Sequence, residues 1–310
     1  FIPEEKGCRL KDVGHFQRVA GGAPANVAGA CAKLGGLSRM ITQLGADAFG
    51  DYIIECLEKA GIDTDYILRT ANADTALAFV SLAADGNRDF QFYRRNSADL
   101  MLSPKHIKKE MLKDCGILHF CSVSLVESPM KHAHETLIRY AHEEQLLVCF
   151  DPNLRFSLWS DKTALYQSVH EFMPHADILK ISDEELSFIT GKTNIEDALD
   201  DLLKGQTKLV IYTKGKEGVC AYTKTCKAEA VGLAVECRDT TGAGDSFIGA
   251  FLYCLLRDEV LSIDALTQAQ LYEYLSFANA YAAYTVTQAG ALDAMADAQT
   301  FAKFRSAFKL

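Results

Sequence analysis

A chain of 310 residues with 49% hydrophobic and 24% charged side chains can bury a large core without disulfides or metals to brace it. The formal net charge of −9 excludes a general nucleic-acid binder, which needs a strong positive field, but allows a nucleotide pocket with local positive potential. The ten cysteines stand singly, with no C-x-x-C, and read as reduced thiols of a cytoplasmic protein; no apolar stretch approaches the ~20 residues of a membrane span.

In chain order, residues 25–34 form a small-residue helix closed by Gly35 and Gly36, residues 40–44 a strand, and residues 51–59 a helix that stops before Gly61. Segments 75–83 and 88–93 flank an Ala-Asp-Gly-Asn turn at 84–87, which predicts a β-hairpin. From about residue 104 the rhythm becomes regular. Short apolar strands are expected at 117–121, 146–151, 178–181 and 208–212, with helices at 129–144, 161–172, 183–189 and 194–203. Continuously apolar strands separated by helices predict a parallel sheet covered on both faces. Segments 219–222 and 228–235 read as antiparallel additions, followed by helices at 244–257 and 268–286. The expectation is one α/β domain over 1–310, with a small sheet projecting from it. No signal peptide is expected; because the chain opens at Phe1 without a Met, a little upstream sequence is expected ahead of it.

In such sheets chemistry belongs at the carboxyl ends of the strands. The most informative segment is Arg238-Asp239-Thr240-Thr241-Gly242-Ala243-Gly244-Asp245-Ser246-Phe247, where small residues lead into an apolar helix. Glycines at 242 and 244 let the backbone approach a bulky ligand, and the N–H groups of 242–245 can converge at the positive helix end. A carboxylate there is stabilised ionised and can accept a proton. The same residues would also serve as a plain helix cap and tight turn. The segment is not a Walker A loop, and no G-x-G-x-x-G stands at a first βα turn. A second patch, Gly21-Gly22-Ala23-Pro24-Ala25-Asn26, opens the 25–34 helix. Asn26 carries a donor and an acceptor suited to a sugar hydroxyl, or it is a solvent-facing residue at a simple helix start.

Five segments in one order carry a resemblance: GGAPANVAGACAKLG at 21–35, FYRRNSADLML at 92–102, FDPNLR at 150–155, KISDEEL at 180–186 and DTTGAGDSFIGAF at 239–251. The chain resembles the ribokinase-like, or PfkB, family of carbohydrate kinases over essentially its whole length, and most of all the fructokinases and 2-keto-3-deoxygluconate kinases. The resemblance implies a three-layer α/β fold with a mostly parallel central sheet, and a lid built mainly from segments 1–20 and 74–97. It implies ATP with Mg²⁺, and K⁺ as an optional further ion, with a small-molecule sugar as acceptor and a homodimer paired through the lids. Asp245 matches the general base, and Gly242, Ala243 and Gly244 the anion hole. Gly21, Gly22, Asn26, Arg94 and Arg155 fall on acceptor-side positions, both arginines being readable equally as solvated surface charges. Lys180, Ser182, Thr213, Gly215, Gly218 and Asn279 fall on nucleotide-side positions. Glu185 matches a residue that organises Mg²⁺ through water, although Ser182 replaces the usual Asn three residues before it. Asp239 and Thr241 resemble a monovalent-cation loop. Family members also carry a strand ending in a sugar-gripping Asp, expected just ahead of Phe1. The favoured reaction is phosphorylation of the 6-hydroxyl of D-fructose. A 2-keto-3-deoxygluconate kinase, supported by Arg94 and Arg95, and a non-catalytic sugar- or nucleotide-binding module are the alternatives.

Overall fold

The computed structural model describes every residue except 6, 8, 83–87, 160, 261, 309 and 310, so the turn expected at 84–87 lies outside the described residues. The N-terminal third contains β1 (Ile2–Pro3), β2 (Phe16–Gln17), α1 (Ala23–Lys33), β3 (Ser38–Arg39), β4 (Thr42–Gly45), α2 (Ala48–Lys59), β5 (Ile62–Asp63), β6 (Ile67–Thr70), β7 (Leu77–Leu82) and β8 (Arg88–Tyr93). The strand expected at 40–44 is β4, starting at Thr42, and β3 precedes it; β3 pairs in parallel with β5, and β4 with β6. Pieces this short fall below what apolar periodicity reveals, and β5 and β6 were not foreseen. β7 and β8 pair antiparallel, and the carbonyl of Phe1, beside β1, accepts from the Val80 amide at 3.0 Å, tying the N-terminus to the hairpin.

The remainder alternates regularly: β9 (Ile117–Cys121), α3 (Pro129–Glu143), β10 (Leu147–Asp151), α4 (Lys162–Phe172), β11 (Ile178–Ser182), α5 (Asp183–Thr190), α6 (Ile195–Leu202), β12 (Leu209–Thr213), β13 (Gly218–Tyr222), β14 (Lys227–Val231), α7 (Ala243–Arg257), α8 (Gln268–Val286) and α9 (Ala298–Phe308). The central sheet runs β14-β13-β12-β11-β10-β9, parallel from β9 to β12 and antiparallel beyond. The strand expected over 228–235 ends at Val231, because Gly232 packs against Lys216, whose carbonyl oxygen would lie 2.0 Å from a β-carbon there. α9 was not foreseen.

Side chains of the parallel strands alternate between two cores. Cys149, Ile178 and Ile211 face a core built with α1, α7 and α8, while Val148, Phe150, Leu179 and Val210 face one built with α3 to α6. That is the three-layer arrangement. Its consequence for chemistry is register: Asp151 aligns with Cys121, and Ser182 with Thr213, so the loops after β9 to β12 emerge along one edge. α7 is buried on almost all sides between α1 and α8, and crosses α1 where Gly249 leaves no room for a β-carbon; one would lie 2.5 Å from the Val27 carbonyl oxygen and 2.6 Å from Ala30 Cβ. The N-termini of both helices thereby meet at the active edge of the sheet. No helix among the described residues is long and apolar enough to cross a membrane.

Candidate active site

Asp245 stands in the first turn of α7, whose start is set by Gly242 at φ 74° and ψ 7°. This left-handed conformation costs a side-chain-bearing residue strain, which glycine avoids. The turn lets Ala243 N–H donate to Thr240 O at 3.2 Å, so one of the expected anion-hole amides is already engaged. The amides of Gly244 and Asp245 remain first-turn donors at the positive end of a fifteen-residue helix.

The Asp245 carboxylate is 8% exposed and is clamped by two amides. Asn26 Nδ2, from α1, donates to Oδ2 at 2.8 Å, and Asn153 Nδ2, from the turn after β10, donates to Oδ1 at 3.3 Å. Burial pushes the Asp245 carboxyl above the usual aspartate range, while the Asn26 amide, Arg155, Lys180 and the Asn153 amide each pull it back. The helix N-terminus alone had suggested only stabilisation of the anion. Burial, invisible in the sequence, opposes it.

Asn26 is thus partly committed inside the protein. One N–H of its amide is given to Asp245, while its Oδ1, buried without a hydrogen-bond partner among the described residues, remains for another donor. Gly21 and Gly22 behave otherwise: a β-carbon at either would meet nothing within 4 Å, although the backbone of Gly22, at φ 124°, itself calls for glycine. Together with Asn26, Arg155, Thr241, Gly242 and Asp245 they line a cleft of about 1510 Å³, which continues along the outer edge of β9. Open space beside a glycine is what close approach of a ligand needs.

The two arginines separate. Arg94 lines the cleft, but its guanidinium is engaged by Asp99 at 2.6 Å and by the Val123 carbonyl, so its charge is compensated inside the wall. Arg155 also lines the cleft; its guanidinium touches the Leu154 carbonyl at 3.0 Å and its charge acts on Asp245.

Lys180, expected on the nucleotide side, and Glu185, expected near Mg²⁺, are both buried and engaged within the protein. Lys180 turns inward, 3.0 Å from Asp151 Oδ2, and its Nζ would lie 3.4 Å from a β-carbon on Gly244, placing a buried cation beneath the start of α7. Burial works against that charge, but Asp151 and Glu185 outweigh it and keep the ammonium protonated. Glu185 uses both oxygens on backbone amides, accepting from Leu154 N at 2.7 Å and from Ser182 N at 2.9 Å. It ties the start of α5 to the turn after β10. Ser182, Thr213, Gly215, Gly218 and Asn279 instead form a strip at the sheet edge: Ser182 pairs with Thr213, Lys214 N–H donates to Gly218 O, Gly218 pairs with Val231, and Asn279 Nδ2 donates to Val231 O at 2.7 Å. A β-carbon on Gly215 would again meet nothing within 4 Å.

Asp239 is a loop organiser. Its Oδ1 accepts from the amide and hydroxyl of Thr241, and its Oδ2 from Gly290 N at 3.1 Å, fixing the segment before Gly242 against the segment after α8. No group of three or more His, Cys, Asp or Glu among the described residues could hold a metal. A divalent ion at this edge would thus depend on phosphate oxygens, as Mg²⁺ commonly does. The residues missed by sequence reasoning were Asp151 and Asn153. The signal was present in FDPNLR, a turn directly after a strand, from which only Arg155 had been taken.

The profile of the pfkB family carbohydrate kinases matches residues 1–298. A probable fructokinase-5 of Arabidopsis thaliana is 41% identical over 99% of this chain and 95% of its own length. A crystal structure of fructokinase with bound ATP from Xylella fastidiosa superposes with a TM-score of 0.87 at 32% identity, covering 95% of this chain and 93% of that one. The fructokinase of Vibrio cholerae O395, in its fructose, ADP and calcium ion bound form, gives 0.86 at 33% identity, covering 98% and 94%.

Proposed function

This chain belongs to the pfkB family of carbohydrate kinases, and we propose that it transfers the γ-phosphoryl group of ATP to the 6-hydroxyl of D-fructose with Asp245 as general base. The observation that carries this reading is the amide-clamped carboxylate of Asp245, which faces a glycine-walled cleft at the N-terminus of α7.

In this reading Asp245 accepts the proton of the acceptor hydroxyl. The amides at Gly242, Gly244 and Asp245 stabilise negative charge on the transferring group, with Ala243 contributing the turn that aims them. Arg155 supplies a cation at the cleft wall, and Lys180 a buried one behind it. Gly21, Gly22 and the free Oδ1 of Asn26 bound the acceptor. Ser182, Thr213, Gly215, Gly218 and Asn279 form the shelf for the nucleotide. Mg²⁺, when bound, neutralises the phosphates, and Asp239 with Thr241 shapes the loop at which a monovalent ion such as K⁺ would sit.

Arg94, one of the two arginines that spoke for 2-keto-3-deoxygluconate, is compensated by Asp99 and so is not an unpaired cation for that acid's carboxylate. Arg95 is exposed and outside the cleft lining. The hairpin β7–β8 with β1 and β2 is read as a lid over the acceptor. Its aromatic cluster, in which Phe79 stacks on Phe1 and meets Phe16 and Tyr93 edge-on, supports pairing of two chains through their lids, measurable by sedimentation. The nine cysteines among the described residues are free, in keeping with a reducing cytoplasm. ADP release measured with fructose, 2-keto-3-deoxygluconate, ribose and nucleosides tests the reading. A signal strongest with fructose is expected; ADP release independent of any sugar would overturn it.

A further inference from the structure

We propose that Asn153 is a positioning residue for the phosphoryl-transfer base, holding the Asp245 carboxylate in the plane and ionisation state in which it takes the acceptor's proton; this rests on the kinase reading above. Asn153 is 7% exposed and absent from the cleft lining, whereas Asp245 and Arg155 belong to it. Among the described residues its side-chain amide donates to Asp245 alone, so it acts through that residue.

The geometry suits the task. Asn26 and Asn153 donate to different oxygens of one carboxylate, and two donors on two oxygens fix its plane where one would leave rotation. The turn carrying Asn153 is itself held from three elements. Asp151 Oδ1 accepts from Asn153 N at 3.1 Å, Glu185 Oε1 accepts from Leu154 N at 2.7 Å, and Ser122 N donates to Pro152 O at 3.2 Å. The backbone at Asn153 has φ 43°, a left-handed conformation that Asn tolerates better than most residues. An amide also has a specific electrical virtue here, since its donor end favours the ionised base without adding charge. The charged and titratable groups that act on or alongside Asp245 are Arg155 in the same turn, Lys180 on β11, Asp151 on β10 and Cys121 on β9.

The test compares Asn153→Gly, which removes the amide without left-handed strain, with Asn153→Asp, which sets a second carboxylate about as close to Asp245 as the amide it replaces. Turnover with fructose is followed against pH, with the KM for ATP alongside. For Asn153→Gly we expect kcat to fall about tenfold and its acid limb to rise by about one pH unit, the scale of one hydrogen bond to a charged group. For Asn153→Asp the limb rises further, because two adjoining carboxylates share a proton. The KM for ATP stays within about twofold in both. Loss of kcat with the acid limb unmoved in both variants would reduce Asn153 to a structural role and overturn the proposal, as would a limb and kcat matching the parent. Should Asn153→Asp lack a cooperative unfolding transition, the limb of Asn153→Gly decides alone. A parent without fructose-dependent ADP release would instead refute the kinase reading, which keeps the two failures distinct.

Discussion

Replacing Asp245 by Asn keeps the shape of the side chain and removes its ability to take a proton. The carboxylate is buried and held by Asn26 at 2.8 Å and Asn153 at 3.3 Å, so an amide at 245 would set its NH₂ against one of these donors. Rotation of the Asn26 amide relieves that conflict, and would also give a partner to Asn26 Oδ1, which has none among the described residues. The fold should therefore survive, and losing a buried charge offsets the lost charge-assisted bonds. Turnover should not survive. A positioned proton acceptor contributes at least ~100-fold, about 2.7 kcal/mol of barrier. A coupled assay of ADP release with D-fructose, beside ATP-analogue binding and thermal unfolding, separates the two effects. The pH dependence adds a sign. Because burial raises the Asp245 carboxyl above an ordinary aspartate, the parent's kcat should fall with decreasing pH while still above ~3.9, as the base becomes protonated. In Asp245→Asn that limb should be missing. A variant with kcat within a few-fold of the parent and the same acid limb would refute Asp245 as the base.

Other outcomes follow from packing and pairing. Gly249→Ala drives a methyl into Val27 O and Ala30 Cβ, so α1 and α7 must separate. Overpacking of this kind costs about 1–3 kcal/mol in denaturant unfolding, and kcat should drop more than stability implies because the Asn26–Asp245 bond spans the same two helices. Asp151→Asn leaves the Lys180 ammonium buried without its nearest partner and should cost about 3 kcal/mol; adding Lys180→Met should recover most of that loss in the unfolding midpoint. Glu185→Gln sets an NH₂ against the amide of Leu154 or Ser182, lowering stability by about 1–3 kcal/mol. Its half-saturation by Mg²⁺ should stay near the parent's if Glu185 acts as a tether, and a large rise there would restore the metal role.

Much was legible because it is local. The start of α7 is written in Gly242 to Asp245, since turn and cap chemistry reach only about four residues. β10 and β12 were readable because strands buried on both faces are apolar throughout. β3 and β5 were not, being two residues each and held by pairing rather than by pattern. The pairing of Arg94 was hidden as well: its partner Asp99 is five positions away, but a short 3₁₀ turn, not a periodic helix, brings the two together. Glu185 and Lys180 show the same limit, because whether a charge faces a ligand or its own protein depends on what the next strand places beside it.

The proposed base, the glycines around it and the succession of strands along the chain were thus present in the sequence itself, as short-range chemistry. What only the tertiary structure decided is how the Asp245 carboxylate is held. Asn153 lies 92 positions from Asp245 and Asn26 lies 219, and no local rule relates them. They meet because parallel register delivers the turn after β10 to the active edge, and because Gly249 lets α1 cross α7 closely enough for an amide to reach a carboxylate.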